Sequence, residues 1–418
     1  MTSDFHQESP VFELPSHLIP IGQYMWELFM DATEGQIRPW LHSLSPIRES
    51  GWFPISAAFT DFLNGDILKV AEKYNLPEGL SDFRTEEPLA CCFYLINSLH
   101  ETLLPDHRLD RYERYPYEES IQYANQITEI NYCQNIFDEI YSEITGQIRS
   151  PSPSKIFWTH DIDYLYSSWK ADLILKWRKK SLRGIPKIIC NRILRKDRWD
   201  NIGEILRLEE KHRIQSAFFW LTARGKLQTE SQSSIDHADY DIDSKEIKAW
   251  WSHIEKSGSI NGLHKSAFSQ SITDEIKALP HPVSINRNHF LKARFPHHYH
   301  QIEKAKLNWD STLGFAEHIG FRNSYGRPFR PYHLAKNRPF TFHEIPLHIM
   351  DTSLIHYMDI EKNEIIPRIL HFIEKNSTHS VITILLHNIY LDHHSSFPTL
   401  DWDLLYSKLS RFSCFLPT

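Results

Sequence analysis

The chain has 418 residues, enough for two or three cores of ordinary size. A hydrophobic share of 41%, a charged share of 24% and a net charge of −7 are those of a globular protein, and argue against one built to bind nucleic acid. No apolar run approaches the ~18 residues that a membrane span needs.

In chain order, the first 150 residues predict helices at about Gln23–Asp31, Ile55–Tyr74, Leu89–Leu103 and Tyr117–Ile144, the last closing at Thr145-Gly146. Arg149-Ser150-Pro151-Ser152-Pro153-Ser154 then reads as a linker, because proline and serine interrupt both helix and strand. The expected organisation is a helix-rich α+β domain over 1–150, with no chemistry of its own that the sequence reveals, followed by a second domain over 151–418.

Beyond the linker, strand-like runs fall at Ile156–Trp158, Ser216–Leu221, Ser259–Leu263, Pro282–Ile285, Thr312–Phe315, Phe340–Ile349 and Val381–Leu386. Helical segments such as Asn201–His212, Asp243–Lys256, Tyr299–Lys306 and Glu364–Lys375 separate them. Strands alternating with helices predict an α/β fold with a parallel sheet and crossovers, and this number of strands suits a β/α barrel.

One segment breaks the rhythm. Lys170, Lys176, Arg178, Lys179, Lys180, Arg183, Lys187, Arg192, Arg195, Lys196 and Arg198 face only Asp172 and Asp197, with Leu, Ile and Trp residues interleaved. Segment 170–198 is therefore either a solvated helical insertion packed on the barrel or a peripheral contact for an anionic membrane surface or lipid-linked substrate. Cys91, Cys92, Cys133, Cys190 and Cys414 are odd in number and lack paired or zinc-ribbon spacing. The N-terminus shows no basic stretch followed by an apolar one, so a cytoplasmic protein with reduced thiols is expected.

The chemistry gathers where the predicted strands end. Thr159-His160-Asp161-Ile162-Asp163 follows the first run, and two carboxylates one residue apart can divide labour, one on a divalent metal and one as a base for water. His264, Arg287-Asn288-His289 and His387-Asn388 close later runs, and Asp310 stands beside the fifth. Mixed Asp and His donors suit zinc, or cobalt, nickel or iron. No Gly-x-Ser-x-Gly elbow and no phosphate-cradling glycine loop is present.

The series resembles the polysaccharide deacetylases, the NodB-homology carbohydrate esterases, and in particular a cytoplasmic branch with a Thr-His-Asp-x-Asp first motif. It runs from Thr159–Asp163 through Ser216–Phe219, Ala238–Ile242, Gly262–Ser266, Arg287–Leu291, Asp310–Phe315, Gly320–Arg322, Arg327–Pro331 and Leu386–Asn388. Upstream, Asp110–Pro116 resembles the region that accompanies that branch. The resemblance implies a distorted seven-stranded β/α barrel and a metal-dependent hydrolase acting on an acylated, chiefly N-acetylated, sugar or saccharide intermediate of surface-polysaccharide metabolism. Asp161 would be the base, Arg287 its partner, His387 the acid, and Asp163 and His264 metal ligands. The family's second histidine, four residues after the first, is here Phe268. His289 is the candidate for the vacant ligand position, with His160 the fallback, and Asp310 the candidate carboxylate behind His387. The alternatives are a hydrolase of another C–N bond, such as a formamide or ureide, and a carbohydrate-binding barrel without catalysis. Retention of both Asp161 and His387 favours an enzyme, since binding alone needs neither a base nor an acid.

Overall fold

The structure, a computed structural model, describes residues 14–40, 53–178, 180, 183–194, 197–228, 234–268, 270–391 and 400–416. Lys179, Arg195 and Lys196 of the basic segment lie outside the described residues.

Among the described residues, eight strands form one parallel sheet: β1 (Lys155–Ile162), β2 (Ser216–Leu221), β3 (Ile260–Lys265), β4 (Ile285–Asn288), β5 (Trp309–Asp310), β6 (His343–Glu344), β7 (Ile349–Met350) and β8 (Val381–Leu385). They lie side by side in the order β6-β5-β4-β3-β2-β1-β8-β7. The central pairings align Trp158 with Ser216 and Asp161 with Phe219 on one side of β1, and Lys155 with Val381 on the other. Central strands of a parallel sheet are covered on both faces, and β2, Ser-Ala-Phe-Phe-Trp-Leu, is accordingly buried throughout.

The sheet curls on itself. β6 and β7 sit at its opposite edges but are separated in sequence only by residues 345–348. That short bridge bonds to both sides: the Ile345 and Leu347 amides donate to the Asp310 and Leu313 carbonyls, and the His348 amide donates to the Thr383 carbonyl. The result is a barrel-like wall whose last gap is spanned by a loop. Eight segments appear where seven runs were expected because Phe340–Ile349 is not one strand. Pro346 has no amide to donate, and the chain crosses between edges there.

Several boundaries also move. The polar residues Thr159, His160 and Asp161 lie within β1 and not in a turn after it. β4 and β5 start three residues later and three earlier than the apolar runs suggested, which puts Arg287 inside a strand and leaves 312–315 irregular. The outer layer includes helices Ile202–His212, Lys245–Lys256, His297–Ala305, Lys362–Lys375 and Trp402–Leu409.

Among the described residues before Lys155 no strand occurs, so the β part of the expected α+β region is absent there. Helix Ile55–Tyr74 divides into Ala57–Leu63 and Ile67–Lys73 at Asn64-Gly65, where Gly65 adopts φ +82°. The 117–144 segment keeps only Ile121–Ala124 and Tyr132–Thr145 as α-helix, the latter closed by Gly146 in the left-handed conformation. These helices share one apolar cluster with the barrel. Tyr332 packs against Tyr24 at 4.8 Å and Phe93 at 5.4 Å between ring centroids. The buried Arg322 guanidinium donates to both Glu101 oxygens, at 2.9 and 2.7 Å. The 149–154 stretch is held too: Arg149 Nε donates to Asp138, and Ser154 Oγ to the Asn376 carbonyl.

Candidate metal and acid–base site

Strand alternation explains the spacing of the first motif. Thr159, Asp161 and Asp163 project to one side of β1, and His160 to the other. His160 is thereby turned outward: its Nδ1 donates to the Leu386 carbonyl at 2.9 Å, its Nε2 meets Glu209 Oε1 at 3.0 Å, and its ring stacks on Trp402. Both nitrogens are occupied away from the other polar groups, so His160 is not available as a fallback ligand.

Arg287, fully buried in β4, fixes the inner face. Its Nη1 donates to Thr159 Oγ1 and Asp161 Oδ1, its Nη2 to Ser311 Oγ and its Nε to the Ser311 carbonyl, all at 2.9 Å. The guanidinium also lies 4.5 Å from the Phe219 ring centroid. One oxygen of Asp161 is thus committed to Arg287, and the other stands 3.5 Å from His264 Nε2.

Asp163, His264 and His289 bring their donor atoms within 4.8 Å of one another. Asp163 Oδ1 lies 3.3 Å from His264 Nε2 and 3.7 Å from His289 Nε2. The His264 Nδ1 is 2.9 Å from the Arg287 carbonyl, which can only accept. That nitrogen therefore carries a proton, and Nε2 is the one that faces Asp163. Burial works against the charged His264 imidazole, but Asp161 and Asp163 outweigh it and raise the pKa above its ordinary value. Burial would raise the Asp163 carboxyl, but His289 and His264 beside it hold it well below the usual carboxylate range. Burial pushes the His289 imidazole down despite the attraction of Asp163. Asp163 Oδ1 is buried without a hydrogen-bond partner. A buried anionic oxygen with no donor is costly. One carboxylate and two imidazoles converging on it form a donor set that a zinc-like divalent ion fits.

His387 stands just past β8. Its Nδ1 and backbone amide each lie 2.6 Å from an oxygen of Asp351, which is fully buried, and its Nε2 is 3.8 Å from Asp163 Oδ2. Burial works against the charged imidazole, but Asp351 outweighs it and the pKa rises to about 9. Among these side chains Asp163 and His387 keep the most surface, 12% and 11%, so the cluster opens between them.

Asp351 was not anticipated, and Asp310 does not take its place. Asp310 meets His298 Nε2 at 2.8 Å and accepts from Asn286 Nδ2 at 2.6 Å and Thr312 Oγ1 at 3.0 Å, which commits both its oxygens elsewhere. Phe268 stacks on His237 at 4.3 Å, and the His237 Nε2 accepts from the Ala267 amide at 3.1 Å. The Ala238–Ile242 block anchors the chain beyond β1. Asp239 accepts from the Leu165 and Tyr166 amides at 2.7 and 2.8 Å, and the Tyr240 hydroxyl donates to the Ile162 carbonyl at 2.6 Å.

No protein-family model matches the chain, and no curated protein matches it. Among solved structures, a "putative polysaccharide deacetylase" from Mycobacterium smegmatis aligns with 63% of this chain and 86% of its own, at 10% identity and a TM-score of 0.37.

Proposed function

We propose that this chain is a metal-dependent hydrolase that removes an acyl group, N-acetyl first of all, from a sugar or saccharide intermediate of surface-polysaccharide metabolism. The observation that carries the reading is the donorless Asp163 Oδ1 facing two imidazoles, with a carboxylate and a histidine–aspartate pair on either side. Asp163, His264 and His289 would hold the ion. A divalent ion bound there, zinc or else cobalt, nickel or iron, supplies Lewis acidity toward the attacked carbonyl and acidifies water. Asp161, oriented by Arg287, would take a proton from the attacking water as the water's oxygen bonds to the acyl carbon. His387, carrying its proton and held by Asp351, gives it to the amine nitrogen as the C–N bond breaks. The products are a carboxylate and a free amino sugar. Asp351 fixes which imidazole nitrogen faces the substrate, so Nε2 is the proton donor.

The test is elemental analysis of the purified chain beside its Asp163→Ala and His264→Ala variants, with acetate release measured from N-acetylated sugars and sugar nucleotides. Near-stoichiometric metal, lost in both variants, together with turnover that Asp161→Asn abolishes at unchanged metal content, is expected. A wild-type chain that stays metal-free after loading with zinc, cobalt, nickel and iron overturns the reading.

A further inference from the structure

Five residues beyond Asp163 the chain leaves the barrel for two helices, Ser168–Arg178 and Ile185–Ile193, which pack on each other. Helices that merely pad a barrel bury their apolar side chains, and these bury few. Ile188 is covered, but Ile174 is 53% exposed, Trp177 80%, Ile189 50%, Ile193 74% and Leu194 56%. Those five are the majority of the nine large apolar side chains exposed among the described residues, so the exposure is a local patch and not the ordinary scatter. Ile174 and Trp177 stand three apart and Ile189 and Ile193 four apart, which makes a stripe on each helix.

Cations surround the stripes. Lys170, Arg178, Lys180, Arg183, Lys187 and Arg192 are exposed. The two acids of the segment are turned inward. Asp172 pairs with Arg198, at 2.5 and 2.9 Å, and Asp197 accepts from the Ser168 and Trp199 amides. The outer surface is therefore one of apolar tips set among positive charge. A protein partner's core would be poor in lysine, and nucleic acid would leave the aliphatic tips in water. The headgroup boundary of an anionic bilayer satisfies both sets of groups at once. No helix among the described residues is long and apolar enough to cross a membrane, so the contact would lie on the surface.

The patch adjoins the candidate site. Lys170, Ile174, Leu175 and Arg178 form one wall of a cavity of about 880 Å³ whose other wall includes Tyr164 and His237. Tyr164 follows Asp163 in the chain, and the His237 ring lies 5.4 Å from that of His289.

We propose that the helical hairpin 168–194 seats the protein on an anionic lipid surface. Trp177, Ile174, Ile189, Ile193 and Leu194 enter the headgroup boundary, the surrounding cations pair with lipid phosphates, and the cavity beside the site opens against that surface. The test is co-sedimentation of the full chain with vesicles of phosphatidylcholine, with and without phosphatidylglycerol. Binding is expected with the anionic vesicles alone and falls as salt screens the charges. Trp177→Ser combined with Ile193→Ser is expected to weaken it at least about tenfold, and Arg183→Glu with Lys187→Glu by about fivefold or more per charge. Unchanged thermal unfolding of these exposed-site variants separates lost docking from lost folding. Absence of binding at low salt, or binding that neither variant weakens, overturns the proposal. So does a dimer that Trp177→Ser dissociates, which would make a second copy the occupant, or a preference for nucleic acid. The assay involves no turnover, so its failure leaves the hydrolase reading standing, and failure of that reading leaves this one standing.

Discussion

Arg287 is the most heavily committed side chain at the site, and replacing it by methionine gives a test of the geometry that needs no substrate. The wild-type guanidinium is fully buried and makes four hydrogen bonds of 2.9 Å, one of them to the Asp161 carboxylate. Methionine keeps much of the stem volume but none of the donors. Asp161, itself 2% exposed, would lose its hydrogen-bonded cation and keep the weaker attraction of His264, at 3.5 Å, and of His387. Stranding one member of a buried ion pair costs about 3–5 kcal/mol, and that is the stability loss expected for Arg287→Met. Because most of this cost is the unpaired charge, Asp161→Asn introduced into the Arg287→Met background should recover part of it. The coupling between the two sites should reach about 2 kcal/mol. The assay is denaturant unfolding of wild type, both single variants and the double variant, followed by far-ultraviolet circular dichroism with a chelator present throughout, so that metal linkage does not enter. Arg287→Met within about 1 kcal/mol of wild type, or a double variant less stable than Arg287→Met alone, would refute the pairing argument.

Each of Asp163→Ala, His264→Ala and His289→Ala should weaken zinc binding by at least the roughly 10–100-fold that loss of an outer partner costs. Competition with a chromogenic chelator measures it, and full affinity in His289→Ala removes that residue from the donor set. Asp351→Asn should lower turnover by about 10²–10⁴, and Asp310→Asn by less than tenfold on the same acylated substrate; the reverse ranking would return Asp310 to the role behind His387. Stability should fall with acid through two buried histidines outside the ligand and acid–base set. Burial lowers His100 to about 4 and His348 to about 3, so the unfolded chain gains its protons first as pH falls through 6.5. The stability present above pH 6.5 is then lost on acidification, by about 2 kcal/mol per histidine at pH 5. Unfolding free energies at pH 5 and 7 that change equally in wild type and His348→Leu would show otherwise. Residues 151–418 produced alone should bind a hydrophobic dye and lack a cooperative melt, because Tyr332 and Arg322 lose Tyr24, Phe93 and Glu101; a sharp melt at the full-length midpoint would mark an autonomous domain.

The barrel was legible wherever burial and β-propensity agree. Ser216–Leu221 has the same limits in the sequence reading and the structure, and helix Asn201–His212 shifts by one residue. It was illegible where polar residues occupy strand interiors. Thr159, His160 and Asp161 look like a turn because an isolated charge is not buried, yet each finds a partner inside the fold: Arg287 for Thr159 and Asp161, and Glu209 for His160. Those partners lie 49 to 128 residues away in sequence, beyond any local pattern. The same reasoning covers Arg287, whose burial at the end of an apolar run has no local explanation.

The carboxylate behind His387 could have been found. His264 and His387 each close an apolar run, and Asp351 closes Leu347–Met350 in the same way. With 340–349 taken as one strand, no separate run remains for Asp351 to end. Pro346 argues against a single strand: a ladder strand of a parallel sheet needs its amides, and proline has none to give. Dividing the run there yields two short strands, and the second delivers an acidic residue to the mouth of the barrel beside β8, where His387 emerges. Asp310 stands out in the sequence instead, because its surroundings, Asp-Ser-Thr-Leu-Gly-Phe, are rich in motif-like residues. That richness reflects a buried network with His298, Asn286 and Thr312, whose polar groups satisfy one another and leave no oxygen for His387. A motif reports that polar residues are constrained together. Which of them faces the opening depends on where the strands begin and end, and here the break around Pro346 leaves a short strand that places Asp351 beside His387.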